Sequence, residues 1–171
     1  DAYPRNTGAG LRATYTWRAE RAAKDDGAAI AARHLRFERN ASVLPLLQQA
    51  GVTILAGTDA GFLNSYNYPG IGLHDELALL VKYGLTPLQA LQAATINGAR
   101  FLGHDDSNGT LAAGKAADIV LLDADPLLDI AATRRIDTVV MKGQAYDRSH
   151  LDAMLADVEA RVAAQRAQAK P

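Results

Sequence analysis

The sequence predicts an α/β fold, and three observations carry that reading. A short, nearly continuous apolar run at residues 52–56 suits a parallel strand buried on both faces. Leu77, Leu80 and Val81 are spaced as one helical face soon after it. Past Gly103 the stretch "HDDSNGT" breaks the pattern, and further short apolar runs follow.

Taken in order, residues 1–16 carry Pro4, Gly8 and Gly10 with little periodicity and read as loop. From Trp17 to about Asn40 the composition turns to Ala, Arg, Glu and Lys. Ile30, His34 and Phe37 share a face there, so a helix is expected over part of the span. Asn40 or Ser42 offers a cap for a shorter helix reaching Ala50, with Pro45 tolerable in its first turn and Gly51 placed to end it. After the strand at 52–56, a helix is expected over 73–83, stopped by Gly84. Another starts at Thr86-Pro87-Leu88-Gln89, where Thr86 caps, Pro87 takes the first helical position and Gln89 closes a capping box; it runs to about Leu102. Residues 119–122 and 138–141 read as strands, Lys142-Gly143 as a tight turn, and 144–146 as a return strand. Leu151, Met154, Leu155, Val158 and Val162 make the apolar stripe of a closing helix. Three segments result: 1–103, 104–147 and 148–171.

Bulk composition excludes several function classes. The 171 residues are 49% apolar and 22% charged, enough for one domain with a real core. The net charge of −1 and the lack of a basic block beyond Arg134-Arg135 speak against nucleic acid and anionic membrane as partners. There is no cysteine, which removes disulfides, thiolate metal sites and cysteine nucleophiles. No apolar run approaches the roughly 20 residues of a membrane span. Nothing near Asp1 resembles a signal peptide, and the cytoplasm is the default compartment.

The stretch "GVTILAGTDAG" at 51–61 ends its apolar run on a carboxylate between glycines. Asp59 as ordinary turn chemistry, with Gly61 at positive φ, is one reading. The other is functional. In parallel α/β folds the C-terminal ends of the strands open onto the active-site face. A carboxylate held there by a stiff strand can ligate a cation, or take a proton from a water whose pKa a metal lowers to about 7.

That stretch, followed by "GLHDELALLVKYGLTPLQALQAATINGARFLG" and "NGTLAAGKAADIVLLDADPL", resembles the C-terminal part of the metal-dependent amidohydrolase superfamily, closest to its imidazolonepropionase-like and Xaa-Pro dipeptidase-like members. The resemblance runs from about residue 40 to 147. It implies a (β/α)8 barrel flanked by a small β-sandwich, with 52–56 as the eighth barrel strand and 104–147 as the chain's return into the sandwich. It also implies that Asp59 binds a divalent metal, zinc by preference and one or two ions, and acts as general base in the hydrolysis of amide, cyclic amide or dipeptide C–N bonds. A full barrel needs about 250 residues. The family's His-x-His pair is absent here, and the four histidines are His34, His74, His104 and His150. The expectation is therefore the C-terminal third to half of an enzyme, inactive without an N-terminal part that supplies the remaining ligands. The alternative is a non-catalytic scaffold or partner subunit derived from the same fold.

Further candidates surround Asp59. Residues 62–73 form a long loop on its side, where Tyr66, Asn67 and Tyr68 are placed to line a pocket or to pack on its rim. His74 opens the next helix and is placed to approach substrate; its His-x-Glu spacing lacks the cysteine partners a cytidine-type deaminase needs. Asp118, Asp123 and Asp125 bracket a strand and a Pro126 turn, which favours structural roles over calcium. The closing helix is expected to pack on the barrel or on a second copy in a homo-oligomer rather than on a membrane.

Overall fold

A computed structural model describes residues 7–60 and 66–168. Helices come first: α1 (Ala9–Ala22), α2 (Gly27–Ala41), α3 (Leu44–Gln49), α4 (Ile71–Lys82), α5 (Pro87–Ala93) and α6 (Ile96–Phe101). A small antiparallel sheet follows, built from β1 (Ile119–Leu122), β2 (Ile136–Met141) and β3 (Gln144–Tyr146) in the order β1-β2-β3. A 3₁₀ turn (Ile130–Arg134) joins β1 to β2, and α7 (Arg148–Gln168) closes the described chain.

The capping chemistry around α5 is as the sequence predicts. The Thr86 hydroxyl accepts from the Gln89 N–H at 3.2 Å, and Gln89 Oε1 accepts from the Thr86 N–H at 2.8 Å. Pro45 lies in the first turn of α3, though Val43 rather than Asn40 or Ser42 is the N-cap; Ser42 ends α2 instead. Lys142 and Gly143 make the β2–β3 turn with φ of 52° and 83°, both left-handed, as a two-residue hairpin requires.

Three expectations are corrected, and the helix expected over part of 17–40 is found as α2 with α1 running into the same span. Residues 9–16 are helical, not loop: Gly10 is tolerated in the first turn of α1, and the rest of its sequence is rich in Ala and Arg. The span from 17 to 40 holds two helices, because Asp26 takes the N-cap of α2 and accepts from the Ala29 N–H at 2.8 Å. The helix from Thr86 breaks at Ala94-Thr95, so α5 and α6 are separate. Residues 52–56 form no β-strand with any described residue. A ladder needs a neighbouring strand, and this segment is tied to helices instead. The Ala56 N–H donates to the Ala93 carbonyl at 3.0 Å, and Asn97 Nδ2 to the Ile54 carbonyl at 3.0 Å.

Burial nevertheless alternates along the segment. Ile54, Ala56 and Thr58 are half-buried while Thr53, Leu55, Gly57 and Asp59 are exposed. Ile54 and Ala56 pack on the core of Leu77, Leu80, Leu85, Ala90, Ala93 and Ile130. One face of a strand-like segment is thus covered by α4 and α5, and the opposite face carries Leu55, Gly57 and Asp59. The last part of α7 touches down through buried Val162, while Met154, Leu155 and Val158 stay exposed. No helix among the described residues is long and apolar enough to cross a membrane.

Candidate functional site

Asp59 stands just past the period-two segment in the left-handed region, at φ 47°. A non-glycine residue there costs about 1 kcal/mol or more, and Asp tolerates it better than most. Two hydrogen bonds bracket it. The half-buried Asn67 side chain donates from Nδ2 to the Thr58 carbonyl, on the peptide plane that precedes Asp59. The Ala60 N–H, on the plane that follows, donates to Thr58 Oγ1 at 3.2 Å.

Tyr66, Asn67 and Tyr68 come back to this turn and are anchored from α1. Tyr15, only 1% exposed, donates its hydroxyl to the Asn67 carbonyl at 2.9 Å. Its ring packs against Tyr66 at 6.0 Å between centroids and edge-on to Tyr68 at 5.6 Å. Burial, then the nearby Tyr15 and Tyr66, raise the Tyr68 phenol above its ordinary range, with Arg12 opposing. Tyr66 is itself exposed and has φ 62°. The preceding part of the expected loop, 62–65, and Gly61 with its expected positive φ lie outside the described residues.

His74 is on the first turn of α4, but its bonded nitrogen faces the small sheet. Nδ1 lies 3.0 Å from Thr133 Oγ1 in the 3₁₀ turn, and the neighbouring Asp75 pairs with Arg134. His74 also lines an open cavity of about 1040 Å³ between α4–α6 and the sheet. The walls there are mainly apolar, with Leu77, Leu91, Leu122 and Ile136 among them, and Asp59 is not a lining residue. Asp118 lines it too, but one of its carboxylate oxygens accepts from the Lys142 N–H at 2.7 Å, a structural role. Asp125 accepts from the Leu127 N–H at 2.8 Å, which makes the Pro126 turn. The cavity and the Asp59 turn are thus separate features of the described residues. The structure brings Asn67 to the Asp59 turn and places His74 at the junction with the sheet.

Sequence reasoning missed Tyr15 and Thr133. Tyr15 sat in a stretch read as loop, and its partners lie more than fifty residues away. Thr133 lies within an unremarkable "DIAATRR" with no motif to flag it. His34, His104 and His150 are exposed, and His150 is bonded to Asp147. Among the described residues no three His, Cys, Asp or Glu side chains gather as metal ligands do. These residues by themselves therefore do not fit a catalytic metal, which needs three or more protein ligands.

The sequence model of the Amidohydrolase family matches residues 6–146. The chain belongs to the amidohydrolase family. Similar amidohydrolase-family sequences include an imidazolonepropionase of Thermoplasma volcanium, 40% identical over 91 residues, which are 53% of this chain and 22% of the relative. An adenine deaminase 2 of Agrobacterium fabrum is 52% identical over 54 residues, 32% of this chain and 9% of the relative. Among solved structures, a Xaa-Pro dipeptidase with bound methionine in its active site superposes with a TM-score of 0.55 at 29% identity, covering 63% of this chain and 25% of that one. The bottromycin amidohydrolase shares the fold over 94% of this chain and 35% of its own, with a TM-score of 0.75 at 24% identity. The amidohydrolase chain described here thus spans about a third or less of these relatives.

Proposed function

We propose that this chain is the C-terminal part of a metal-dependent amidohydrolase that hydrolyses C–N bonds of amides, cyclic amides or dipeptides. Asp59 is its metal ligand and general base. The reading is carried by one observation: the carboxylate sits at the end of a period-two segment whose other face is packed on helices, in a turn bracketed by hydrogen bonds on both sides. The exposed face of that segment is where the interior of a (β/α)8 barrel would lie, and the β1–β3 sheet would complete a flanking sandwich. The family is generally metal-dependent, and the metal, zinc by preference, supplies an activated water when bound. The remaining ligands come from outside these 171 residues, which alone are inactive. Tyr66 and Asn67 are the proposed contacts on the substrate side, whereas His74, expected there from the sequence, is engaged at the junction with the small sheet.

The test compares the full-length protein with its Asp59→Asn variant, in metal content and in hydrolysis of a panel of amides, cyclic amides and dipeptides. Asparagine keeps the shape and the tolerance for left-handed φ but removes the charge. Loss of activity by about 10²-fold or more, with the melting temperature kept, supports the role. Unchanged metal content together with unchanged turnover would falsify it.

A further inference from the structure

The strained backbone of Asp59 is held by a side chain from the far end of its own loop. We propose that Asn67 is a positioning residue for Asp59, and that the buried glycine at position 72 exists to admit it. The inference rests on the role proposed above for Asp59.

The geometry is specific. The Thr58 carbonyl belongs to the peptide plane whose other end is the Asp59 nitrogen, so fixing that oxygen fixes the plane about which φ of Asp59 is measured. Asn67 Nδ2 donates to that oxygen. On the far side, Thr58 Oγ1 accepts from the Ala60 N–H at 3.2 Å and fixes the plane that sets ψ. Both soft dihedrals of Asp59 are thereby constrained, and with them the direction of its Cα–Cβ bond. Without these bonds the residue would relax toward negative φ, where L-residues are less strained, and the carboxylate would swing away.

Asn67 is in turn locked. Its carbonyl accepts from Tyr15, and its side-chain Oδ1 occupies the space a Cβ on Gly72 would take. Thr58 Cγ2 lies 3.5 Å from that same point, so the segment's end, the returning loop and the first turn of α4 meet over Gly72. Gly72 is buried, and nothing but a hydrogen atom fits between the helix and the amide. An alanine there displaces Oδ1 and pulls Nδ2 from the Thr58 carbonyl. A residue 59 turn is thus coupled to the packing of α4 through one amide. This role stands beside any contact Asn67 makes with substrate.

Two independent variants test it in the full-length protein. Asn67→Asp is near-isosteric but cannot donate to a carbonyl; Gly72→Ala leaves both Asn67 and Asp59 chemically intact. Each is expected to speed amide hydrogen exchange at Asp59 and Ala60, and to weaken Co²⁺ binding by about 10- to 100-fold with an altered visible spectrum, as loss of supporting residues does at metal sites. Gly72→Ala placed on Asn67→Ala is expected to add nothing further, because the clashing atom is gone. Circular dichroism melts identify variants that fail to fold, for which the Asn67→Ala background supplies the comparison. Wild-type exchange and Co²⁺ affinity in both Asn67→Asp and Gly72→Ala overturn the positioning role. If Asp59→Asn alone leaves Co²⁺ binding and its spectrum unchanged, the proposed ligand role falls, whereas the restraint of the Asp59 backbone by Asn67 stands or falls on hydrogen exchange. The exchange arm reports the backbone coupling separately, so the two failures are told apart.

Discussion

His74 Nδ1 lies 3.0 Å from Thr133 Oγ1, and that hydroxyl has a single proton to give. The proton goes to the Ile130 carbonyl, 2.9 Å away and buried. The imidazole therefore donates from Nδ1 and keeps its lone pair on Nε2. This short relay, with the Asp75–Arg134 ion pair beside it, joins the start of α4 to the turn between β1 and β2.

The first prediction concerns pH. Burial holds the His74 pKa below its ordinary 6.5; the Arg134 guanidinium pushes the same way, and Asp75 opposes them. A depressed value means the unfolded chain takes up the proton first as pH falls. The stability linked to His74 is complete above about pH 6.5 and is lost as pH drops through the lower folded value. Thermal melts between about pH 7.5 and 5 should show this loss, with a shallower slope in His74→Gln. An equal slope in the variant would assign the effect to other groups.

A second prediction isolates the hydroxyl. Thr133→Val keeps the shape of a 7% exposed side chain but leaves the Nδ1–H and the Ile130 carbonyl without that partner. A buried polar group left unpaired costs about 1–3 kcal/mol. Urea unfolding should register that loss, with the share due to the His74 bond absent when His74→Gln is combined with it and the share due to the Ile130 carbonyl kept. Full additivity of the two changes would mean they do not share a bond.

The third prediction tests where the core lies. Leu85 is 4% exposed and packs with Leu77, Leu80 and Ala90, whereas Leu128 is 86% exposed. Leu85→Ala should cost about 2–5 kcal/mol, and Leu128→Ala should stay within about 0.5 kcal/mol. Similar midpoints for the two variants in urea would contradict the assignment of that core.

What the sequence could reveal follows from how local each cause is. Thr86, Pro87 and Gln89 act within four residues, so the start of α5 was legible. So were the Lys142-Gly143 hairpin and the helix bearing Leu77 and Leu80. The segment at 52–56 has strand composition, yet a ladder depends on a neighbour that no local pattern contains. Asp26 was a legible cap passed over because the Ala-rich composition continues on both sides of it. At the site, Asp59 was visible through its flanking glycines. Its restraint by Asn67, and that of Asn67 by Tyr15, was not, because those bonds cross 9 and 52 residues of chain.

The last prediction separates steric from conformational demand at two glycines. Gly103 has φ 69° and open space where a Cβ would go. Gly109 has φ 86°, and a Cβ there would lie 2.8 Å from Ile96 Cα and 2.9 Å from Ala99 Cβ. Alanine at either position incurs left-handed strain of about 1–2 kcal/mol. At Gly109 the neighbour is helix backbone, which cannot swing aside as a side chain tip can, so overpacking adds about 1–3 kcal/mol more. Ile96 and Ala99 are buried on α6, and Gly109 rests against them at the approach to the small sheet. Gly109→Ala should therefore lower the melting temperature clearly more than Gly103→Ala, and it should loosen amide protection in α6 as well. Equal melting temperatures would mean that α6 and the turn at 109 move apart freely, and that the helical layer is not seated on this glycine.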